Sequence, residues 1–289
     1  MGGAEFAGEV LEIGKEVRGF KVGDRVVPKP YNLFCGKCFY CTIGRPNLCS
    51  NSGRGTSHGG FTEYSAIAVP NHPIVSLKVA DHVSDEEASV VEPLACALHA
   101  IDRAQIRFGD SVAVLGQGSI GQLVLQGVKW AGAGKVFVTD TNGAKLEVSR
   151  KMGADEAIDA SRVRPAERIA ELTEGRGADV VFEMVGSPDT FKETLDVVRK
   201  GGRVVAFGVV NQPVDGFDTG KAFGKEIDMV WCAGEIVYRT FVNAYRCIET
   251  GRINVRDLIT HTFPLEEAIR AFEVADRGEN GAIKVVVKP

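Results

Sequence analysis

The spacing of hydrophobic positions changes along the chain and separates three stretches. From about residue 5 to 83, short apolar runs such as Phe61–Val69 and Ile74–Val79 are broken by glycine, proline and asparagine, which predicts an irregular antiparallel β domain. From about residue 85, apolar strands alternate with amphipathic helical segments, which is typical of a parallel, doubly wound sheet in an α/β fold. The six strands predicted there are Ser111–Leu115, Val136–Thr139, Glu156–Ile158, Asp179–Glu183, Arg203–Phe207 and Ile227–Trp231.

The third stretch begins near residue 236. Two helical patterns, Val237–Thr250 and Leu265–Arg277, precede a final apolar strand, Ile283–Val287. We expect this tail to pack back onto the first domain.

Composition and charge exclude several classes of partner. The 289 residues are 44% hydrophobic and 25% charged, as in an ordinary globular chain. A formal net charge of −4 provides no broad basic surface, so no nucleic-acid partner is expected. The longest apolar runs fall far short of the roughly 20 residues of a membrane span, and no signal-peptide pattern opens the chain. We therefore expect no membrane partner and place the chain in the cytoplasm.

A glycine-rich turn follows the first predicted strand of the α/β stretch. Its six residues, Gly116 to Gly121, lead directly into a helix. In such a motif the first glycine makes a tight turn, the second lets the backbone approach a pyrophosphate, and the third allows close contact between helix and strand. A dinucleotide site is predicted; the alternative is a turn that merely packs the helix on the strand. The candidate cofactor-binding residues are Gly116, Gly118, Ser119, Ile120 and Gly121.

An acidic residue, Asp140, ends the second predicted strand. A carboxylate at this position accepts hydrogen bonds from the adenosine ribose hydroxyls and repels a 2′-phosphate, which favours NAD over NADP. Lys145 is a further candidate cofactor contact, and it leaves NADP open as the alternative cofactor. The ends of the fourth and fifth strands should meet the nicotinamide ribose, although glycine after a strand is also ordinary turn chemistry. The candidates there are Val185, Gly208 and Val209.

Four of the seven cysteines fall within fifteen residues, in a CxxCxxCx7C pattern. Four thiolates from one loop can close a tetrahedron around a structural zinc, with no open position for substrate. An iron–sulfur cluster is the rival, but its usual final CxxxCP spacing is absent. The predicted ligands are Cys35, Cys38, Cys41 and Cys49. The other three cysteines, Cys96, Cys232 and Cys247, are interpreted as small buried apolar groups.

The order of these motifs, together with several shorter ones, is that of a known family. The shorter motifs are Gly8-Glu9-Val10, Gly23-Asp24-Arg25-Val26, Gly59-Gly60-Phe61-Thr62-Glu63-Tyr64 and Glu92-Pro93-Leu94. Over essentially its whole length the chain resembles the zinc-dependent medium-chain alcohol and polyol dehydrogenases. The segment from Glu92 to Ala100 is most similar to the sorbitol, threonine and erythritol or threitol dehydrogenase branch.

The resemblance implies an architecture and a reaction. A GroES-like, mainly β catalytic domain with the zinc lobe would span residues 1–94, a Rossmann domain that binds NAD 95–235, and a segment returning to the catalytic domain 236–289. The implied activity is NAD-linked oxidation of the secondary hydroxyl of a small alcohol or polyol. Members of the family form dimers or tetramers, so a homo-oligomer is expected.

The resemblance also implies a second, catalytic zinc. The family holds it with an early cysteine, the histidine of a Gly-His-Glu motif, and an acid or cysteine near the Glu92 position. Here Gly3-Ala4-Glu5 has alanine in place of that histidine, and the family's segment with the first cysteine is absent. We therefore expect a catalytic domain incomplete at its N-terminus, with impaired chemistry, and with Glu5 and Glu92 as the candidate catalytic residues and zinc ligands.

Each of these two assignments has an alternative. Glu92 is otherwise a helix-start carboxylate stabilised by the helix dipole, and Glu5 a solvated or arginine-paired residue. His58, in a polar loop that the family places near the active site, is either a substitute ligand or a loop hydrogen bonder.

Two other functions remain open. One is a non-catalytic protein that binds NAD and zinc. The other is a zinc-free quinone-reductase-like member of the superfamily, which the four-cysteine lobe and Asp140 disfavour.

Overall fold

The computed structural model describes residues 2–29, 33–53, 59–68 and 76–289. The chain divides into two compact units. Unit 1 contains the residues up to Cys96, together with 234–279 and 284–289; unit 2 contains Ala97–Ala233 and 280–283. The sequence-based prediction places the two boundaries at 94/95 and 235/236 and gives the whole tail to the first domain, whereas residues 280–283 join unit 2.

Unit 1 opens with a small antiparallel sheet of order β1-β2-β3. Val27 of β2 is paired with Leu77 of β3, and Val26 and Val27 are buried. The predicted run Phe61–Val69 forms no extended strand over its described part, and the run Ile74–Val79, which begins outside the described residues, is reduced to β3. The three strands are β1 Gly8–Glu9, β2 Arg25–Pro28 and β3 Ser76–Lys78.

Three helices follow or interrupt this sheet: α1 Phe39–Thr42, α2 Asp85–Ser89 and α3 Val91–Ala104. A reciprocal cap starts α2, because Ser84 Oγ accepts from the Glu87 backbone N–H at 3.2 Å and Glu87 Oε2 accepts from the Ser84 N–H at 2.9 Å. Helix α3 follows at once and has Glu92 in its first turn. Residues four apart lie on one helical face, so α3 presents Glu92 and Cys96 together.

Unit 2 is built on a six-stranded parallel sheet of order β6-β5-β4-β7-β8-β9. This is the strand order of a doubly wound dinucleotide-binding fold, whose ligand crevice lies where the order reverses, at the carboxyl ends of β4 and β7. The predicted fold class is thus confirmed. The strands are β4 Ser111–Leu115, β5 Lys135–Asp140, β6 Glu156–Asp159, β7 Ala178–Glu183, β8 Val198–Ala206 and β9 Asp228–Trp231.

The helices of unit 2 cover an apolar sheet core that includes Leu115, Phe137 and Val181. One strand differs clearly from the prediction: β8 begins at Val198 rather than Arg203. Val198 pairs with Ala178 across a register irregularity, and the polar and glycine residues 200–202 interrupt the apolar pattern. The helices are α4 Ser119–Trp130, α5 Gly143–Lys151, α6 Pro165–Leu172, α7 Pro188–Val197 and α8 Thr219–Gly224.

A polar cluster joins the start of β4 to β7. The Asp179 carboxylate accepts from the Ser111 backbone N–H at 2.8 Å, from Arg176 at 2.7 Å and from Arg199 at 2.5 Å. Burial acts to raise the pKa of Asp179, but these hydrogen bonds outweigh it and hold the pKa well below its usual range.

The tail of unit 1 contains two helices and a two-stranded parallel sheet. One π-helical turn, Val237–Phe241, continues into α9 Val242–Glu249. The further strands and α-helix are β10 Ile259–Pro264, α10 Ala268–Arg277 and β11 Lys284–Lys288, with β11 paired to β10. Short 3-10 helices lie at Arg256–Leu258, Leu265–Glu267 and Glu279–Gly281. Within the described part of the chain, no helix has the length and apolarity that crossing a membrane would need.

Candidate cofactor and metal sites

The glycine turn between β4 and α4 is shaped by close backbone contacts. Gly116 has φ +99° and donates its N–H to the Thr139 carbonyl at 2.8 Å. A Cβ on Gly121 would lie 2.1 Å from the Gly116 carbonyl oxygen, so no larger residue fits there. A Cβ on Gly118 would meet no atom within 4 Å. The second glycine therefore borders open space, as expected where a ligand approaches the backbone.

Helix α4 begins at this turn without a capping side chain. Its N-cap is Gly118, and no side-chain hydrogen bond caps it. The first-turn N–H groups of Ser119 and Ile120 belong to the part of a helix that lacks intrahelical acceptors. Together with the helix dipole they favour an anion such as a pyrophosphate.

Asp140 lies beside the turn and its carboxylate is held from both sides. Oδ2 accepts from the Gln117 N–H at 2.8 Å, and Oδ1 accepts from the Asn142 N–H at 2.8 Å. Asn142 in turn caps α5 by accepting from the N–H groups of Ala144 at 2.9 Å and Lys145 at 3.4 Å. The structure thus brings Asp140 to the glycine turn in a fixed orientation and places Lys145 in the first turn of the next helix.

The end of β7 is fixed by a buried acid, Glu183. Its Oε1 accepts from the N–H groups of Val185 at 3.0 Å and Gly186 at 2.9 Å, and from the Thr190 hydroxyl at 2.7 Å. A Cβ on Gly208 would lie 2.5 Å from Glu183 Oε2 and 2.2 Å from the Gly186 nitrogen. The turns after β7 and β8 can therefore approach each other this closely only because residue 208 has no side chain.

Two valines border these turns. Val185 is 52% exposed and Val209 is 75% exposed. A Cβ on Gly116 would lie 2.7 Å from Val185 Cγ2, so Val185 adjoins the glycine turn. The carboxyl edge of the sheet in unit 2 thus brings together a glycine turn that is open to a phosphate group, an acid that can bind a ribose, and exposed apolar side chains.

The four clustered cysteines of unit 1 form a compact group. Their sulfurs lie within 4.8 Å of one another. Cys38 Sγ is 3.5 Å from Cys41 Sγ and 3.8 Å from Cys49 Sγ. Zinc–sulfur bonds of about 2.3 Å in a tetrahedron give sulfur–sulfur edges of about 3.8 Å. The four sulfurs therefore fit a single zinc ion.

The ionisation of these thiols also fits a cation. The backbone N–H groups of Lys37 and Cys38 lower the pKa of Cys35 to about 6. Burial and the neighbouring sulfur of Cys38 raise the pKa of Cys41 to about 12. A divalent ion between the sulfurs would stabilise their thiolate form.

A second group of metal-capable side chains lies in unit 1. Glu92, Cys96 and Glu235 place one ligand atom each within 4.8 Å of the others. Cys96 Sγ lies 3.9 Å from Glu92 Oε1 and 3.7 Å from Glu235 Oε2. Cys96 and Glu235 are buried, and Glu92 is half-buried.

A lysine side chain enters the same group. Lys29, 1% exposed, forms an ion pair with Glu235. Burial lowers the pKa of Lys29, and Glu92 and Cys96 counteract that shift. Burial likewise raises the pKa of Glu92, against the influence of Lys29. An ammonium group already supplies positive charge here, so the three donors do not fit an additional zinc ion as they stand.

Glu5 is held elsewhere. Its carboxylate pairs with the Lys284 ammonium at the start of β11. Among the described residues, Glu5 belongs to neither metal-capable group. His58 lies outside the described residues.

Sequence reasoning missed four residues of these sites: Lys29, Cys96, Glu183 and Glu235. An acid at the end of the apolar strand β7 is a local signal that could have identified Glu183. The four-residue spacing of Glu92 and Cys96 on α3 is a local signal for Cys96. No local pattern marks Lys29 or Glu235, because Glu235 lies 139 positions from Cys96.

Comparison with known proteins gives consistent matches. Residues 1–78 match the profile of the alcohol dehydrogenase GroES-like domain, and residues 119–249 that of the zinc-binding dehydrogenases. Sorbitol dehydrogenase of Halalkalibacterium halodurans is 37% identical over 291 aligned positions, which cover 99% of this chain and 82% of the relative.

Solved structures are similar over nearly the whole chain. A protein of Sinorhizobium meliloti 1021 described as a zinc-binding dehydrogenase, bound to NADP, has a TM-score of 0.88 at 30% identity, covering 99% of this chain and 82% of its own. An alcohol dehydrogenase of E. coli CFT073 in complex with NADH has a TM-score of 0.86 at 28% identity, covering 98% and 82%.

Proposed function

Because the chain belongs to the family of zinc-binding, alcohol dehydrogenase-like enzymes, we propose that it is an NAD-dependent oxidoreductase that oxidises a secondary alcohol or polyol to a ketone by hydride transfer. The proposal rests above all on one observation in unit 2: the open glycine turn with the Asp140 carboxylate fixed beside it.

The cofactor preference follows from Asp140. The two similar structures contain NADP in one case and NADH in the other, so the likeness by itself favours neither. The Asp140 carboxylate is oriented by two backbone N–H groups, so it can accept hydrogen bonds from both ribose hydroxyls. The same charge repels a 2′-phosphate, which supports NAD as the cofactor.

The nicotinamide half of the cofactor would meet the ends of β7 and β8. Val185 and Val209 offer exposed apolar contacts there, and Gly208 allows the two turns to approach each other. Glu183 acts as a positioning residue, because it is fully buried and holds the backbone of Val185 and Gly186.

Zinc has a structural role in this proposal. Cys35, Cys38, Cys41 and Cys49 would hold it, with the N–H groups of Cys35 and Asn51 donating to the Cys49 sulfur at 3.3 and 3.4 Å. Bound zinc would tie the loop from 35 to 49 into one conformation and leave no position for substrate.

The substrate class is supported by the sorbitol dehydrogenase relative. Among the sequence-derived catalytic candidates, Glu92 remains one, since it faces the buried group with Cys96 and Glu235. Glu5 is not retained, because its carboxylate is paired with Lys284. We infer that the chemistry is impaired relative to the family, since Ala4 occupies the family's histidine position and Lys29 lies among the acids.

The impairment favours a second candidate function, a protein that binds NAD and zinc without turnover. One experiment separates the two. The full chain is titrated with NADH by fluorescence, and NADH formation at 340 nm is then followed with NAD and a panel of polyols that includes sorbitol. Turnover with a polyol supports the enzyme, and binding without turnover supports the second candidate. Failure to bind NADH would contradict both.

Assembly and location are also proposals. The sheet edge at β9 exposes Trp231, which is 64% accessible, and an exposed apolar edge strand supports a homo-oligomer. None of the seven cysteines forms a disulfide. Thiolate ligands persist in a reducing compartment, which supports the cytoplasm.

A further inference from the structure

The buried group around Lys29 has the composition of a cation site. Three donors, two carboxylates and one thiol, converge within 4.8 Å on helix α3 and the start of the tail. Burying an ionised carboxylate away from water is costly unless a positive charge lies beside it. In this chain that charge comes from a side chain, because the Lys29 ammonium pairs with Glu235 inside the group.

A metal ion and this ammonium cannot both occupy the group. Each would lie against the Glu235 carboxylate, and two positive charges in contact in a poorly solvated pocket repel each other strongly. Lys29 is 1% exposed and Glu235 is 2% exposed, so neither side chain is free to extend into water without opening the packing of unit 1.

The position of Lys29 is set by the small sheet. It directly follows β2, whose Val26 and Val27 are buried and paired with β3. Lys29 continues directly from this buried strand, and its side chain lies against Glu235 inside unit 1. The ammonium is thus built into the fold of unit 1.

We propose that the Lys29 ammonium takes the place of a metal ion in the Glu92–Cys96–Glu235 group, and that the zinc of this chain is confined to the four-cysteine lobe. The oxidation of an alcohol by this chain would then proceed without a metal ion at this group. The proposal concerns metal content and holds whether or not the chain turns over a substrate.

The first test needs no disruptive change. The full chain and its Cys96→Ser variant are purified with zinc present and their metal content is measured by mass spectrometry. Both should contain about one zinc ion per chain. A wild-type count of about two, falling to about one in Cys96→Ser, would overturn the proposal because the group would then hold a metal.

The second test removes the internal charge. Lys29→Met keeps the unbranched chain about as far as the lysine Cε and removes the ammonium, and Lys29→Arg is the matched control that keeps the charge. With cobalt as the probe, Lys29→Met should take up a second ion and show a near-ultraviolet thiolate-to-cobalt band from Cys96. Lys29→Arg should show neither, and a further Cys96→Ser change in Lys29→Met should abolish the band.

The outcome is decisive even if one variant is unstable. A folded Lys29→Met chain that keeps its lobe zinc yet takes up no second cobalt ion would contradict the proposal. If Lys29→Met does not fold, the comparison of the wild-type chain with Cys96→Ser decides, since it depends on neither charge nor length at position 29.

Discussion

Asp140→Ala tests the dinucleotide site at the side chain on which the cofactor preference depends. The substitution removes the acceptor that the turn holds at the end of β5, between the N–H groups of Gln117 and Asn142, each 2.8 Å away. Two hydrogen bonds from the ribose hydroxyls would be lost with it. A hydrogen bond to a charged group contributes about 1.5–3 kcal/mol, and water recovers part of that loss at a half-exposed position.

A net loss of about 2 kcal/mol weakens NADH binding about 30-fold. NADPH should lose nothing and should gain from the removal of a repelling charge, so the preference for NADH over NADPH should fall by at least this factor. The assay is fluorescence titration of the full chain with each cofactor, supported by calorimetry.

The matched control is Asp155→Ala. Asp155 Oδ2 also accepts a backbone hydrogen bond, from the Val136 N–H at 2.8 Å, but at the opposite end of β5. Both variants should lose about 1 kcal/mol of folding stability, and only Asp140→Ala should lose NADH affinity. An unchanged NADH dissociation constant in a folded Asp140→Ala chain would refute the assignment of the ribose site.

Three further predictions address the metal, the turn and the pH dependence. Cys41→Ser should lose the lobe zinc, measured by mass spectrometry, and expose residues 35–49 to proteolysis; full zinc retention would contradict the lobe. Gly118→Ala should leave the thermal midpoint within about 2 °C but weaken NADH binding, whereas Gly121→Ala should lower the midpoint by about 4 °C or more. Unaltered NADH binding by Gly118→Ala would count against a pyrophosphate contact. The depressed pKa of Asp179 contributes stability that is present above about pH 4 and is lost as pH falls towards the folded-state pKa. Asp179→Asn should therefore lower stability by about 2 kcal/mol at neutral pH, and the difference should narrow in acid, measured by denaturant unfolding at several pH values. A difference independent of pH would contradict the charge-based account.

Local sequence patterns were sufficient to predict the strands of unit 2 and the residues of its glycine turn. Strand β4 has the predicted bounds, Ser111–Leu115, because a continuous apolar run between polar turns leaves little choice of register. The glycine motif and the acid that ends β5 lie within one strand–helix–strand segment, so their proximity is a local property. The comparisons confirm the family that these motifs indicated.

Local signals were weaker in unit 1. Residues 61–68 show an apolar run but form no extended strand, since β propensity depends on pairing with a distant partner. The burial of Cys96 and its proximity to Glu92 on the same helix face could be predicted, but its contact with Glu235 could not.

The group around Lys29 shows what only the tertiary structure decided. Hydrophobic periodicity specifies which face of an element is buried, but it contains no information on which remote segments meet at that face. Lys29, Cys96 and Glu235 come from the end of β2, from α3 and from the start of the tail, and each looks unremarkable in its own segment. Only the packing of unit 1 brings the Lys29 ammonium beside Glu235. There its positive charge offsets the cost of burying the negative charge of the carboxylate.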